Sequence, residues 1–241
     1  MKAMILAAGI GSRLRPLTEE IPKALVEVGG VPMIERVIQR LAAAGVSAVV
    51  VNLFHFGERI AEFLVARGNF GLRIEFSREA ELLDTGGGLK NAAWFFDDDR
   101  PFFLHNVDVL SDIDLQALLR FHQRGGGLAT LAVQRRPSSR QLVFDRDGRL
   151  CGRVSPGGAE WARGPVSDAD RFAFTGIQVI EPAIFPRVTE TGAFPITRTY
   201  LRLAGEGEPI VAYRADESYW QDIGSPEKLE RARERVAEGQ I

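Results

Sequence analysis

Glycines followed by basic residues distinguish the N-terminal stretch of the chain. Gly9 and Gly11 come directly after a short apolar run, and Arg13 and Lys23 follow within an extended segment. Glycine lets backbone N–H groups approach an anion closely, arginine can bind phosphate through two hydrogen bonds, and lysine acts as a point charge. This spacing predicts a loop that can hold a polyphosphate, although a solvated basic loop would have the same composition.

Two known phosphate-binding motifs differ from this stretch. A dinucleotide fingerprint needs a third glycine where this chain has Leu14, and no helical pattern follows until about residue 32. A Walker loop ends in Gly-Lys-Ser/Thr, which the stretch does not contain. A plain glycine turn after a buried strand leaves Arg13, Arg15 and Lys23 without an explanation. The polyphosphate interpretation is therefore preferred.

Acidic residues near strand ends form the second group with chemical potential. Asp108 lies at the end of an apolar run over 101–110, where a carboxylate is costly to bury unless it is paired or binds a metal. It could also cap the next helix, but Ser111 and Asp112 are closer to that position. Asp222 lies two residues before Gly224, so it could be either a turn residue or a functional carboxylate.

The elements that position these residues alternate between strands and helices in the first half of the chain. Apolar runs bounded by glycine and polar residues predict strands, and apolar residues at helical spacing predict helices. Such alternation is typical of an α/β fold, here a Rossmann-like, mostly parallel sheet flanked by helices. The predicted strands are 2–7, 47–52, 72–77, 101–110 and 128–134, and the predicted helices are 32–44, 57–66, 87–96 and 112–123.

The second half is richer in strand signals. Asp-Arg-Asp-Gly at 145–148 predicts a hairpin turn, and the Gly-, Pro- and charge-rich stretch 155–170 predicts a loop. Ser225 and Pro226 suit the N-cap and first position of a last helix. We expect a single domain over 1–241. The remaining predicted elements are strands over 172–180 and 209–213 and a helix over 195–204.

Composition excludes several functional classes. The 241 residues carry a net charge of −2, so no overall field favours nucleic acid or an anionic membrane as a partner. One cysteine, Cys151, permits no internal disulfide, and with three histidines a zinc site is disfavoured. No apolar run approaches the roughly 20 residues of a spanning helix, and the chain has no signal-peptide layout. We therefore expect a cytoplasmic protein.

One ordered, gapped motif carries a resemblance to a known family. It reads Leu6-Ala7-Ala8-Gly9-x-Gly11-x-Arg13-Leu14-x-Pro16-Leu17-Thr18, followed by Pro22-Lys23. It resembles the signature of sugar-1-phosphate nucleotidylyltransferases, and N-acetylmuramate-1-phosphate uridylyltransferases and mannose-1-phosphate guanylyltransferases look most similar. The resemblance implies the nucleotide-diphospho-sugar transferase fold and transfer of a nucleotide from UTP or GTP to a sugar 1-phosphate. It implies Mg²⁺ as cofactor, and neither nucleic acid nor membrane as partner.

The resemblance also implies a role for each matching residue. It divides the domain into a nucleotide-binding part over 1–135 and a sugar-phosphate-binding part over 136–241. Val107 departs from the glycine that commonly precedes the family's metal-binding aspartate. The family's Glu-Lys-Pro segment is missing, so Arg140 or another residue of 135–140 is expected to replace its lysine. The implied roles are catalysis for Arg13 and Lys23, nucleotide binding for Leu6, Ala7, Ala8, Gly9, Gly11, Asn52, Thr85, Gly86 and Gly87, sugar binding for Thr175, Gly176 and Arg140, and metal binding for Asp108 and Asp222.

Other functions remain compatible with the same motif. A phosphocholine cytidylyltransferase shares this type of loop, and a metal-dependent glycosyltransferase uses a related nucleotide-binding sheet. A nucleotide-sugar-binding regulator without turnover is a further alternative, although it would not need both phosphate-binding cations and both carboxylates. The base, the sugar and the oligomeric state stay open at this stage.

Overall fold

A computed structural model describes residues 1–125 and 127–241. Within them the strands are β1 (Lys2–Leu6), β2 (Glu27–Val28), β3 (Val31–Pro32), β4 (Ala48–Leu53), β5 (Arg73–Arg78), β6 (Phe102–Asn106), β7 (Val109–Ser111), β8 (Ala129–Gln134), β9 (Gln141–Phe144), β10 (Leu150–Ser155), β11 (Gly158–Trp161), β12 (Asp170–Ile180), β13 (Ile210–Arg214) and β14 (Trp220–Asp222). The helices are α1 (Leu17–Glu20), α2 (Met33–Ala43), α3 (Gly57–Ala66), α4 (Asp84–Asn91), α5 (Leu115–Gly125), α6 (Ile196–Gly205) and α7 (Pro226–Ala237).

The first half of the chain forms a parallel sheet in the order β5-β4-β1-β6. β1, β4 and β6 are buried on both faces because helices cover both sides of the sheet, whereas the edge strand β5 alternates between buried and exposed residues. In register, Leu6 lies between Asn52 and Asn106, so β1, β4 and β6 reach the same edge together. These features confirm the predicted α/β fold with a helix-flanked parallel sheet. The carboxyl ends of β1, β4 and β6 lie at the same edge of that sheet.

The second half extends this sheet with antiparallel strands. β12 pairs with β6, β8 and β9, and the hairpin strands β9 and β10 continue to β11. The pairing of β12 with β8 shifts register between Phe174 and Gln178, which marks a bulge. β7 leaves the main sheet and pairs with β14, so residues about 110 positions apart in sequence become neighbours. The β-rich second half is thus continuous with the first.

Several boundaries differ from the sequence-based predictions. The strand predicted over 101–110 is interrupted at Val107 and Asp108, because its two halves pair with different partners. The helix predicted over 87–96 begins at Asp84, so its glycines lie inside the helix. The predicted loop 155–170 contains β11, which pairs with β10. The N-cap of α7 is confirmed, since the Lys228 N–H donates to Ser225 Oγ.

Three hydrophobic clusters hold the layers together. One face of the sheet packs on α2, α3 and α5, and the other packs on α4 and α6. The third cluster lies outside the sheet, where Leu229 and Ala232 of α7 pack with Leu14 and Val28. This cluster anchors the N-terminal basic loop to the C-terminal helix. No helix in residues 1–125 and 127–241 is long and apolar enough to cross a membrane.

A buried polar network ties the strand ends to each other. The Asn52 side chain accepts from the Ala7 N–H at 2.7 Å and donates to Glu79 Oε1 at 2.7 Å. The other carboxylate oxygen of Glu79 accepts from the Leu83 N–H at 3.0 Å. A single amide therefore holds the loop after β1, the end of β4 and the segment before α4 in a fixed arrangement.

His105 is fully buried in β6, three residues before Asp108. Its Nδ1 lies 2.7 Å from the Asn106 carbonyl oxygen, while Nε2 is buried without a hydrogen-bond partner in the described chain. Burial, assisted by the nearby Arg40 guanidinium and opposed by the Asn106 carbonyl, lowers the pKa of His105 to about 3. The ring is therefore neutral in the folded protein over most of the acidic range.

The buried His105 predicts acid sensitivity. Between pH 6.5 and about 3 the unfolded chain binds a proton at this position that the folded chain excludes, so stability falls as the pH falls. This single group lowers the free energy of unfolding by up to about 1.4 kcal/mol per pH unit below 6.5. Denaturant unfolding between pH 7 and 5 should show a shallower pH slope for His105→Gln than for the control His55→Gln. Equal slopes would contradict the prediction.

The Asn52 network predicts a large stability loss on truncation. Asn52→Ala leaves the Ala7 N–H and the Glu79 carboxylate without their partner, and we expect a loss of about 2–4 kcal/mol. The matched control Asn91→Ala removes an exposed amide that donates to Ser77 Oγ, and it should cost about 1 kcal/mol or less. Equilibrium denaturant unfolding measures both, and equal losses would refute the role of Asn52.

Candidate active site

A cleft opens at the carboxyl ends of the parallel strands, where ligands bind in open α/β sheets. It consists of two adjoining cavities of about 400 and 370 Å³, which share Asn106 and Asp108 in their walls. The inner cavity lies beside Leu6 and Thr85, and the carboxylate cavity lies beside Asp108 and Asp222. The cleft thus runs continuously from the glycine loop to the second half of the chain.

The N-terminal loop brings its basic residues to this cleft through two short 3-10 turns. Ser12–Leu14 carries Arg13 and Lys23–Leu25 carries Lys23. Gly11 precedes the first turn with φ 70°, and its carbonyl accepts from the Thr18 hydroxyl at 2.8 Å. A side chain is strained at this φ, which explains the glycine in the motif.

The inner cavity is lined largely by apolar groups and backbone. Leu6, Ala8, Leu82 and Ala193 contribute apolar surface, and no heavy atom lies within 4 Å of the position a Cβ would take on Gly9. Thr85 Oγ1 accepts from the Ile196 N–H at 2.9 Å and keeps its own proton for donation. A flat, mostly apolar ring with a few hydrogen-bonding groups fits such a surface.

Some residues expected to bind nucleotide lie behind the cavity wall. The Gly86 and Gly87 N–H groups donate to the Phe194 carbonyl at 2.9 and 3.3 Å. A Cβ on Gly87 would come within 2.6 Å of the Gly192 carbonyl, and one on Gly88 would come within 2.8 Å of Asn52 Nδ2. In this structure these glycines allow α4 to pack closely against the 192–194 segment and Asn52. Ala7 and Gly11 also contribute to the supporting loop rather than to the lining of either cavity.

The two predicted metal carboxylates lie side by side. β7 pairs with β14 so that Val109 is opposite Asp222, and the Ile223 N–H donates to the Asp108 carbonyl at 3.0 Å. The Asp108 carboxylate forms an ion pair with Lys23, and the Asp222 carboxylate forms one with Lys228. The two acids are therefore neighbours in space, and each has its own lysine.

Arg13 lies next to the same acids. A Cβ on Gly224 would come within 2.5 Å of Asp222 Oδ1 and 2.9 Å of Arg13 Nη2, so glycine is the residue that lets the guanidinium approach. The Gly224 N–H donates to Asp222 Oδ1 at 3.0 Å. The cations that line the cleft are Arg13, Lys23, Arg140 and Lys228, against the carboxylates Asp84, Asp108 and Asp222. Around Asp108 and Asp222 the cations outnumber the carboxylates, so this part of the cleft favours anionic ligands.

Trp220 and Arg136 position the strand that carries Asp222. Trp220 Nε1 donates to the Thr175 carbonyl at 2.7 Å, and the Arg136 guanidinium lies 3.6 Å from the centroid of the indole ring. Arg136 also donates to the Phe174 carbonyl at 3.0 Å. Burial lowers the pKa of Arg136, whereas the Asp222 carboxylate opposes this shift. These contacts join β14 to the bulge of β12.

The predicted sugar-binding residues lie in the wall of the carboxylate cavity. The hydroxyl of Thr175 is already used, since it donates to the Ala132 carbonyl and accepts from the Ile177 N–H. Gly176 has φ 78°, and a Cβ there would come within 2.6 Å of Asn106 Nδ2. This stretch can therefore offer backbone and open space to a ligand, while Arg140 supplies a charged side chain.

Several residues of the cleft were not predicted from the sequence, among them Lys228, Asn106 and Leu82. Lys228 is partly exposed and forms its ion pair with Asp222 from the first turn of α7, Asn106 lies between the two cavities, and Leu82 adds apolar surface. A lysine in the first turn of a helix opposes the helix dipole, and this unfavourable position was a signal in the sequence. Leu82 and Asn106 carried no comparable signal.

Asp108 and Asp222 are the residues of the cleft that fit a hard cation. Among residues 1–125 and 127–241 no group of three or more His, Cys, Asp or Glu side chains could hold a metal ion. Mg²⁺, however, is commonly held by one or two carboxylates together with water and substrate phosphates. The paired carboxylates, the open cavity beside them and the surrounding cations match that requirement.

Comparisons with known proteins show which family the chain is similar to. A family model described as "Nucleotidyl transferase" matches residues 2–144. The mannose-1-phosphate guanyltransferase of Aspergillus fumigatus is 32% identical over 231 residues, which cover 94% of this chain and 61% of that protein.

Solved structures share the fold along nearly the whole chain. HddC from Yersinia pseudotuberculosis, complexed with GMP-PN, has a TM-score of 0.78 at 21% identity, covering 98% of this chain and 99% of that one. A UDP-glucose pyrophosphorylase complexed with UDP-glucose has a TM-score of 0.79 at 20% identity, covering 99% and 98%. Because the family model matches more than half of its residues, the chain belongs to the nucleotidyl transferase family.

Proposed function

We propose that this protein is a sugar-1-phosphate nucleotidylyltransferase that joins UTP or GTP to a sugar 1-phosphate and releases pyrophosphate. The observation that carries the proposal is the pairing of β7 with β14, which brings Asp108 and Asp222 together beside Arg13 and Lys23. A cleft for two anionic substrates needs this combination of cations and paired acids. The chain spans about 61% of the length of the curated relatives it matches, so their activity is transferred here only as part of this proposal.

The reaction would be an in-line displacement at phosphorus. A phosphate oxygen of the sugar 1-phosphate attacks the α-phosphorus of the nucleoside triphosphate, and the bond to the pyrophosphate oxygen breaks. The nucleophile is already anionic, so the site needs no general base. The main obstacle is repulsion between the two anions, and preorganised positive charge lowers it in the transition state.

The residues of the cleft would divide this work. The inner cavity would hold the base and ribose against the backbone after β1, with Thr85 donating a hydrogen bond. Arg13 would hold the β- and γ-phosphates, and Lys23 would position the α-phosphate or the leaving group. Residues of the second half, including Gly176 and Arg140, would orient the sugar phosphate.

Mg²⁺ fits the paired carboxylates. Asp108 and Asp222 would hold it, and the bound ion would supply positive charge that offsets the charge of the reacting phosphates. In the present structure Lys23 and Lys228 pair with these oxygens. Metal binding would compete with both lysines for the carboxylates, and phosphate oxygens would be the alternative partners of the lysines.

The base and the sugar are also part of the proposal. Relatives named mannose-1-phosphate guanyltransferase favour GTP, whereas the motif resemblance also includes uridylyltransferases. The lining of the inner cavity does not separate the two bases, since it is mainly apolar surface with the Thr85 hydroxyl available as a donor. Direct measurement with each triphosphate decides between them.

We predict metal-dependent pyrophosphate release for one pair of substrates. The assay combines Mg²⁺, each of the four nucleoside triphosphates and a panel of sugar 1-phosphates, with pyrophosphate as the readout. Asp108→Asn and Asp222→Asn should each lower kcat/KM by about a hundredfold or more, because the transition state loses stabilisation while shape is kept. Asp147→Asn, at an exposed hairpin turn, is the matched control and should leave turnover unchanged.

Other outcomes separate the alternatives. Release with CTP and phosphocholine alone would identify a cytidylyltransferase of that class. Triphosphate binding without pyrophosphate release for any acceptor would favour a regulator, and nucleotide-sugar consumption without pyrophosphate would favour a glycosyltransferase. Full activity in both aspartate variants would overturn the assignment of the carboxylates.

Lys228 generates a separate prediction about metal affinity. It forms an ion pair with Asp222, so Lys228→Met should free that carboxylate and tighten Mg²⁺ binding several-fold. Calorimetric titration of Mg²⁺ into the nucleotide-free protein measures this effect without any dependence on turnover. Lys90→Met, which removes an exposed lysine that donates to the Glu190 carbonyl, is the control. Unchanged or weaker Mg²⁺ binding in the Lys228 variant would refute the competition.

A further inference from the structure

A third cavity adjoins the cleft on the side away from the inner cavity. It has a volume of about 510 Å³ and lies between the β9–β10 hairpin and the start of α6. Arg140 and Phe174 line both this hairpin cavity and the carboxylate cavity. The three cavities therefore follow one another, and the carboxylate cavity lies in the middle.

The β9–β10 region contributes two arginines to the lining of this cavity. Leu142 of β9 is paired with Arg153 of β10, so their side chains share a face. Ser155 lies two residues after Arg153 in β10, so alternation places it on the same face, and Arg140, which immediately precedes β9, lines the same cavity. Leu142, Arg153 and Ser155 line it as well.

The charged side chains that line this cavity are arginines, and Glu160, which lies opposite Arg153 on β11, offsets one of them through an ion pair. The lining of the cavity includes no Asp or Glu in the described part of the chain, and Arg140 forms no ion pair within residues 1–125 and 127–241. Arg153 Nε donates to Glu160 Oε2 at 2.7 Å, which uses one of its five N–H donors. Like charges on neighbouring strands are unfavourable unless an anion lies between them. The hairpin thus offers donors that the protein itself does not use.

The other walls suit the same kind of ligand. Thr197 lies in the first turn of the ten-residue helix α6, whose N-terminal end adds a partial positive charge. Ser155 provides a hydroxyl group, and Phe174 provides an apolar surface toward the carboxylate cavity. A ligand would match this arrangement if its anionic end lay in the hairpin cavity and its carbon ring lay beside Phe174, toward the carboxylate cavity.

We propose that the hairpin cavity binds a second anionic group on the acceptor, so that the preferred substrate is a sugar 1-phosphate with a further carboxylate or phosphate. This inference rests on the proposed function. The inner cavity is assigned to the nucleotide and shares no lining residue with the hairpin cavity, whereas the carboxylate cavity shares Arg140 and Phe174 with it. The distal end of the acceptor is therefore the part of either substrate that can occupy it.

The test compares acceptors that differ in one charged group. Glucose 1-phosphate, glucuronic acid 1-phosphate and glucose 1,6-bisphosphate are titrated calorimetrically and used as acceptors in the pyrophosphate assay. Wild-type protein should bind at least one of the two compounds with a second anionic group about ten- to a hundredfold more tightly than glucose 1-phosphate. This is the range of a charge-assisted hydrogen bond. Whichever compound is preferred identifies the group as carboxylate or phosphate.

Two arginine variants locate the effect. Arg153→Gln should remove most of this preference and leave the affinity for glucose 1-phosphate unchanged. Arg171→Gln is the matched control, because Arg171 pairs with Val143 and so lies on the opposite face of the same strands. The preference should persist in that variant.

The outcomes separate this inference from the proposed function. Equal wild-type affinity for all three compounds, or a preference that survives Arg153→Gln, would overturn the anionic subsite even if pyrophosphate is released. Failure to release pyrophosphate with any acceptor would count against the proposed function instead. The calorimetric comparison would still decide whether the hairpin cavity selects a second anionic group.

Discussion

The pairing of β7 with β14 is the constraint on which the site depends. It places two carboxylates, Asp108 and Asp222, next to each other in a partly enclosed cleft, where like charges repel strongly. The chain compensates with Lys23 and Lys228, one from the N-terminal loop and one from the C-terminal helix. Packing of α7 on Leu14 and Val28 brings these two distant segments together. The acids thus require an arrangement of the whole molecule.

Close packing explains why many motif residues are glycines even when they do not face a ligand. Gly87 and Gly88 let α4 approach the 192–194 segment and Asn52, and Gly224 lets Arg13 approach Asp222. At Gly87 a Cβ would overlap the Gly192 carbonyl oxygen, which cannot move cheaply, whereas at Gly88 and Gly224 it would overlap side-chain atoms. The N–H groups of Gly86 and Gly87 hold the same segment through the Phe194 carbonyl. A glycine motif at a nucleotide site can therefore serve the scaffold as much as the ligand.

Local patterns predicted the regular elements well where one physical signal dominated. Helix α7 was recognisable from Ser225 and Pro226, because capping depends on residues adjacent in sequence. The split at Val107 and Asp108 was missed, since an apolar strand and a strand that changes partners have the same local composition. β11 was missed because its pairing with β10 compensates for a weakly strand-forming sequence. Long-range pairing, rather than propensity, decided these segments.

The amino-acid sequence alone determined the α/β class, the basic glycine loop and the acids available for chemistry, because apolar periodicity and residue type are local properties. Only the tertiary structure decided which of these groups meet. It brought Asp108 to Asp222 and added Lys228 to the site, and it left Gly86 and Gly87 in the supporting wall. It also placed Arg140 and Arg153 in the wall of one cavity. Distances between residues far apart in the chain depend on strand register and helix packing, and no single segment encodes them.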